Sequence, residues 1–239
     1  MVEIKTIDAA NLEVFSEVLQ SLAATDKDIM VVTSDSRGSG KLVPFGQKYP
    51  EQIVEVGIAE QNLVGVATGL ASMGKKAFAV SPACFLTARA LEQIKNDVAY
   101  SDNAVKLIGI SAGVSYGALG TTHHSLHDFA ALRAINNITI VAPADNFETA
   151  EAIKQAAEMQ SPIYLRFGKK TMPANLNSNV TDFKIGKGRI IQEGSDLTFI
   201  ATGEAVLPSL DAAILLAIAD NISCNLICLH TIKKLDTEL

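Results

Sequence analysis

At 239 residues, 48% of them hydrophobic, the chain is long enough for one large domain and part of another. A formal net charge of −6, with no Lys/Arg stripe, excludes nucleic acid as an expected partner. No apolar run reaches the roughly 18 residues of a membrane span, Met1-Val2-Glu3-Ile4-Lys5 is no signal peptide, and three cysteines make no disulfide framework, so a cytoplasmic protein is expected.

In chain order, Asp8 to about Ala24 reads as a helix with Leu12, Phe15, Val18, Leu19 and Leu22 on one face. A strand over Asp28–Thr33 precedes the turn-rich Ser34–Gly40. A helix follows from Ile58, then strands and helices in alternation: strand Lys76–Val80, helix Thr87–Tyr100, strand Val105–Ile110, helix Leu126–Ile135, strand Thr139–Val141, helix Asn146–Met159 and strand Pro162–Arg166. Such alternation predicts an α/β fold, a mostly parallel sheet with helices on both faces and site residues in the loops after strand ends. A first domain is expected over 1–168 and a polar linker over 169–187. A smaller α/β domain over 188–239 has strands at Arg189–Gln192, Leu197–Ala201 and Asn225–Leu229 and a helix at Ala205–Ala219, and it looks truncated.

The helix from Ile58 carries small or apolar residues at almost every position, which predicts burial on all sides. Gly65 and Gly69, one turn apart, let another backbone approach closely. Glu60 stands at its start. A carboxylate entering a dry site must be paired or hold its proton, which is an acid/base device. The plainer reading is an acid complementing the helix dipole at a solvated end. Arg89 and Gln93, four residues apart, face a site or tie their helix to its neighbours.

Gly120–Asp128 holds His123, His124 and His127, three of the four histidines. The i, i+4 pair His123 and His127 suits a metal, but Ser125 as helix N-cap with Asp128 at N3 would leave His123 on the preceding loop, and no metal site is expected. Gly38-Ser39-Gly40-Lys41 mimics part of a P-loop without its full motif. Cys224, Cys228 and His230 share a strand face without a fourth ligand and read as core thiols.

Several segments, in one order, resemble the transketolases and 1-deoxyxylulose-5-phosphate synthases: Glu55-Val56-Gly57-Ile58-Ala59-Glu60-Gln61-Asn62, Phe85–Ile94, Gly120-Thr121-Thr122-His123-His124-Ser125, Ala142-Pro143-Ala144-Asp145 and Leu229–Asp236. The likeness covers nearly the whole chain and points to the C-terminal, pyrimidine-binding chain of split, two-gene bacterial transketolases. It implies thiamine diphosphate as cofactor, with Glu60 as the carboxyl that activates it. Phe85 matches the aromatic packed on its aminopyrimidine ring, with Leu86 as the alternative register and an ordinary core Phe as the plain reading. Arg89 and Gln93 are then candidate cofactor contacts. His123, and less so His124, matches a substrate histidine that can give and take protons. Ser39 and Arg166 match residues that touch substrate phosphate, Arg166 competing with a strand-end salt bridge.

The family's Gly-Asp-Gly motif with its downstream Asn, which holds Mg²⁺ and the diphosphate, is absent. The resemblance therefore implies an N-terminal transketolase subunit carrying that half of the cofactor, in an α2β2 heterotetramer acting on sugar phosphates. Ser111 stands where the family often has a histidine and Leu119 where it has an acid, so a modified sugar becomes a candidate donor. The rival readings are a 1-deoxyxylulose-5-phosphate synthase-like or E1β-like subunit taking pyruvate or another 2-oxo acid, and a non-catalytic binding or regulatory remnant.

Overall fold

The structure, a computed structural model, describes residues 8–178 and 182–239. The N-terminal segment and residues 179–181 of the expected linker lie outside the described residues. The chain runs β1 (Ala9–Ala10), α1 (Asn11–Thr25), β2 (Ile29–Thr33), α2 (Val43–Lys48), β3 (Ile53–Glu55), α3 (Glu60–Ser72), β4 (Lys76–Pro82), α4 (Ala83–Arg89) and α5 (Leu91–Gln93), which enters a π-helical stretch, Ile94–Tyr100. It continues through β5 (Lys106–Ile110), α6 (Asp128–Arg133), β6 (Thr139–Val141), α7 (Asn146–Glu158), β7 (Ile163–Arg166) and β8 (Thr171–Met172). The C-terminal part holds β9 (Arg189–Gln192), β10 (Leu197–Ala201), α8 (Val206–Asp220), β11 (Cys224–Cys228) and β12 (Thr231–Lys233).

Seven strands form the main sheet in the order β12-β6-β7-β5-β4-β2-β3. Every pair in it is parallel except β12 with β6. A parallel sheet buried on both faces wants apolar residues on both, and β4 supplies them alternately. Phe78 and Val80 pack with α1 and α7 through Phe15, Leu19 and Ile153. Ala77 and Ala79 pack with α3, the π-helical stretch and α6 through Leu63, Ile94 and Leu132. Each such Leu, Ile or Phe taken wholly from water contributes about 1.5–3 kcal/mol. The expected α/β architecture is thus observed: a helix–sheet–helix sandwich followed by a small sheet of order β10-β11-β9. Among the described residues no helix is long and apolar enough to cross a membrane.

Several local expectations change. Within this chain α3 is buried on one face only, through Glu60, Leu63, Val64 and Ala67; Gln61, Asn62, Gly65 and Gly69 are exposed, with Ile58 (73%) and Met73 (81%) at the two ends of that face. An all-round apolar pattern records what a helix can bury, and the chain alone covers half of it. The helix expected over Thr87–Tyr100 is interrupted at Ala90 (φ −105°, ψ 20°), so Arg89 and Gln93 lie on separate segments. Ser125 does not cap α6. Its backbone N–H and carbonyl are engaged with Gly113 (2.8 and 3.1 Å), and the helix starts at Asp128 after His127. The short elements α2 and β3 fall where no extended pattern was legible. β12, from the C-terminal part, returns to edge the main sheet.

Candidate functional site

The chain passes from β2 to β3 on one side and then to β4 on the other, so the strand order reverses between β2 and β4. In open parallel sheets the crevice beyond the strand ends at such a reversal is where ligands bind. Here the Ser34 hydroxyl donates to the Ser81 Oγ (2.8 Å) and ties the two strand ends together. Glu55, at the end of β3, accepts from the Asp35 and Gly57 N–H groups (2.7 and 3.0 Å) and so fixes the approach to α3. Gly57 has φ +72°, a conformation that favours glycine.

Glu60 opens α3 and is 3% exposed. It is therefore no acid at a solvated helix end. Of the two ways to keep a buried carboxylate, the structure uses pairing: Arg89 Nη1, at the end of α4, donates to both Glu60 oxygens at 2.9 Å. The Arg89 guanidinium lies over the Phe85 ring, its Cζ 4.2 Å from the centroid. Phe85 is half-buried beside Arg89, whereas Leu86 is wholly buried in the core.

His123 crosses Phe85 with ring centroids 5.2 Å apart and 70° between planes. Its loop, from Ser111 to Ser125, is closed by the Gly113–Ser125 bridge. Tyr116 packs edge-on against His123 at 5.2 Å, and Lys169 Nζ stands 4.9 Å from the Tyr116 ring. Burial pushes the Tyr116 phenol up, opposed by the nearby Ser111 and Ser39 hydroxyls. A single ladder therefore runs Glu60–Arg89–Phe85–His123–Tyr116–Lys169. Tyr116 and Lys169 were not singled out by sequence, because ring and cation contacts across loops leave no spacing signal. Ser111 is buried with φ +54°, a sparsely populated conformation at a site loop.

The other candidates are placed as follows. Ser39 is half-buried and donates to the Ser36 carbonyl (3.2 Å). His124 Nε2 lies 3.1 Å from the Gly117 carbonyl, His127 Nε2 3.2 Å from Thr87 Oγ1 and His123 Nδ1 3.0 Å from Thr122 Oγ1, so the three rings have separate partners. Gln93 is half-buried beyond the break at Ala90, and its Oε1 accepts no hydrogen bond among the described residues. Arg166 is occupied as an ion pair: its Nε donates to Asp128 Oδ2 (2.7 Å), its Nη2 to the Ser125 carbonyl (3.3 Å), and its Cζ stands 4.3 Å from the Phe129 ring centroid.

A second charged group lies at the junction of the two sheets, where sequence reading found only core thiols. Asp145 caps α7 by accepting from Glu148 N–H (2.7 Å), and Glu148 accepts from Ala144 N–H (2.8 Å). Arg189 of β9 reaches Glu148 at 2.7 Å and Asp145 at 3.4 Å, all three buried. Glu148, Cys228 and His230 offer ligand atoms within 4.8 Å of one another, but Arg189 already supplies the cation there. Cys224 points elsewhere, toward the Ile222 carbonyl. Burial and the neighbouring Glu148 push Asp145 up to about 6, and burial pushes His230 down to about 4.

Comparison with known proteins shows the family. The family profile described as "Transketolase, pyrimidine binding domain" matches residues 8–174, and "Transketolase, C-terminal domain" matches 186–239. One of the subunits of apulose-4-phosphate transketolase from Phocaeicola vulgatus is 45% identical over 94% of this chain and 72% of its own length. The 6-deoxy-6-sulfo-D-fructose transketolase subunit SqwH of a Clostridium species is 33% identical over 95% of this chain and 70% of its own length. A solved "Split gene transketolase, inactive beta4 tetramer" superposes with a TM-score of 0.83 at 33% identity, covering 94% of this chain and 71% of that one. The chain belongs to the transketolase family, bears its pyrimidine-binding and C-terminal domains, and is similar to the family's separate C-terminal chains.

Proposed function

We propose that this chain is the pyrimidine-binding subunit of a thiamine-diphosphate-dependent transketolase, moving a two-carbon ketol unit from a ketose phosphate or modified sugar to an aldose. The observation that carries this is the buried Glu60 carboxylate beside the half-buried Phe85 ring, with His123 across it. That pair fits an aminopyrimidine: a flat face to stack on and one carboxyl oriented in a dry site. Thiamine diphosphate, when bound, supplies the nucleophilic carbon that carries the ketol unit. Glu60 holds or releases a proton at the pyrimidine nitrogen. Phe85 orients the ring and excludes water. His123, an imidazole able to donate and accept, contacts substrate hydroxyls, with His124 beside it.

The diphosphate and Mg²⁺ are assigned to an N-terminal transketolase subunit, since this sequence lacks the Gly-Asp-Gly set. The uncovered face of α3, with Ile58, Gly65, Gly69 and Met73, supports docking against another chain at close backbone approach. The similar split-gene chain described as an inactive beta4 tetramer supports activity only with the partner; an α2β2 assembly in the cytoplasm is assigned as part of this reading. Ser39 and the free N–H groups of Arg166 are assigned to substrate phosphate, and Gln93 to support of the cofactor pocket. Ser111 and Leu119 favour a modified sugar, in keeping with the sugars named for the two relatives.

The test is ketol transfer with this chain, the N-terminal chain, thiamine diphosphate and Mg²⁺, omitting each in turn and offering xylulose 5-phosphate, branched and sulfonated ketoses, and pyruvate. Activity that needs both chains and the cofactor with a ketose donor supports the reading. Turnover of pyruvate alone would move the chain to the 1-deoxyxylulose-5-phosphate synthase type, and a complex without turnover of any donor to a remnant.

A further inference from the structure

We propose that Arg89 is a built-in stand-in for the cofactor's pyrimidine, holding Phe85 and Glu60 until the cofactor displaces it. This rests on the cofactor reading above and deepens it. Arg89 makes the two contacts that a pyrimidine would need: its Cζ stands 4.2 Å from the Phe85 ring centroid, and one nitrogen, Nη1, sits 2.9 Å from both Glu60 oxygens. A guanidinium resembles an aminopyrimidine in the properties that matter here, being planar, delocalised and edged with N–H donors. Two planar groups cannot share one ring face and one carboxylate, so the occupants are exclusive.

The geometry also provides a way out. The Arg89 side chain is 45% exposed, and its Nε and Nη2 make no hydrogen bond among the described residues. It forms the wall shared by two grooves, one lined by Ile58, Glu60 and Asn62, the other by Thr121, Thr122 and His124. Phe85 lines the second groove and Glu60 the first, so turning the guanidinium out to solvent frees the ring face and the carboxylate together. Arg166 is built differently, with two nitrogens bonded and 15% exposure, and is not exchangeable in this sense. The stand-in keeps the buried Glu60 charge paired until another donor arrives.

An occupant that must leave lowers the apparent affinity for its replacement by the fraction of molecules it leaves competent. The experiment measures the Kd of thiamine diphosphate with Mg²⁺ for the complex of this chain and the N-terminal chain, with wild type and Arg89→Ala. The expected result is tighter binding in the variant, by about tenfold if Arg89 is clamped in nine-tenths of molecules. Weaker binding in Arg89→Ala would overturn the proposal and make Arg89 a residue that holds the cofactor. If the variant does not fold, side-chain NMR of Arg89 in the wild-type complex decides. Its ring-current shift from Phe85 is lost on cofactor binding if the stand-in is exchanged, and an unchanged shift overturns the proposal. Wild-type complex that binds no thiamine diphosphate would instead sink the cofactor reading on which this rests.

Discussion

Two buried carboxylate–arginine groups in this molecule do opposite work. At the sheet's carboxyl edge, Glu60 is 3% exposed and meets Arg89 through a single nitrogen of a half-exposed side chain. At the junction of the two sheets, Asp145, Glu148 and Arg189 are all buried and also bonded to backbone at Ala144, Leu176 and Glu148. In the first pair the half-exposed Arg89 can turn to water when another donor takes its place on the buried carboxylate. A group with all its members buried cannot exchange in this way, and removal of one member there is costly. The first arrangement suits a site that must change partners, the second a joint that must not.

The sharpest break between them is expected from Glu60→Gln. It removes the carboxylate and keeps its shape, so under the proposed function ketol transfer in the two-chain complex should fall on the order of 10²–10⁴-fold. Its melting temperature should stay close to wild type because Arg89 can turn to water. Full activity in that variant would return Glu60 to a structural part. Arg189→Ala should reverse the pattern. Leaving Glu148 and Asp145 buried without their cation should lower the unfolding free energy by about 3–5 kcal/mol in urea titration. A loss under about 1 kcal/mol would mean that water reaches the junction.

If the proposed function holds, His123→Ala should cut turnover by about 10²-fold with thiamine diphosphate affinity nearly unchanged, because the ring touches Phe85 edge-on rather than over its face. Equal losses in affinity and turnover would make it a packing residue.

The smallest effect is one of pH, since two opposed contributions meet at the junction. Asp145 rises from 3.8 in the unfolded chain to about 6, so its stabilisation is full below about pH 4 and lost as pH rises through about 6. His230 falls from 6.5 to about 4, so its contribution is full above pH 6.5 and lost as pH falls through about 4. In wild type the slopes oppose each other across this window. Thermal melts of Asp145→Asn should rise with pH from 4 to 6.5, and those of His230→Phe should fall. Parallel wild-type-like profiles in both would count against the assignment.

The same contrast explains what could be read early. Glu60, Phe85 and His123 sit on short motifs just after strands, and chain order alone puts such positions at one edge of a parallel sheet. Arg189, Glu148 and Asp145 come from an outer strand and a helix start far apart in sequence, so no local pattern announces their meeting. Ser125 misled for a related reason. Its helix-capping chemistry is local, but a long-range bridge to Gly113 took its backbone first.

By itself the sequence determined the alternation of strand and helix, the parallel sheet and the identity of the residues at its carboxyl edge, because hydrophobic period and short motifs are properties of neighbours along the chain. Only the tertiary structure decided that Glu60 is paired rather than solvated, that Phe85 meets Arg89 while Leu86 is buried in the core, that Arg166 is held by Asp128, and that one face of α3 is uncovered. Those outcomes depend on which distant groups arrive first at a carboxylate, a ring or a helix face, and that competition is settled by packing in three dimensions.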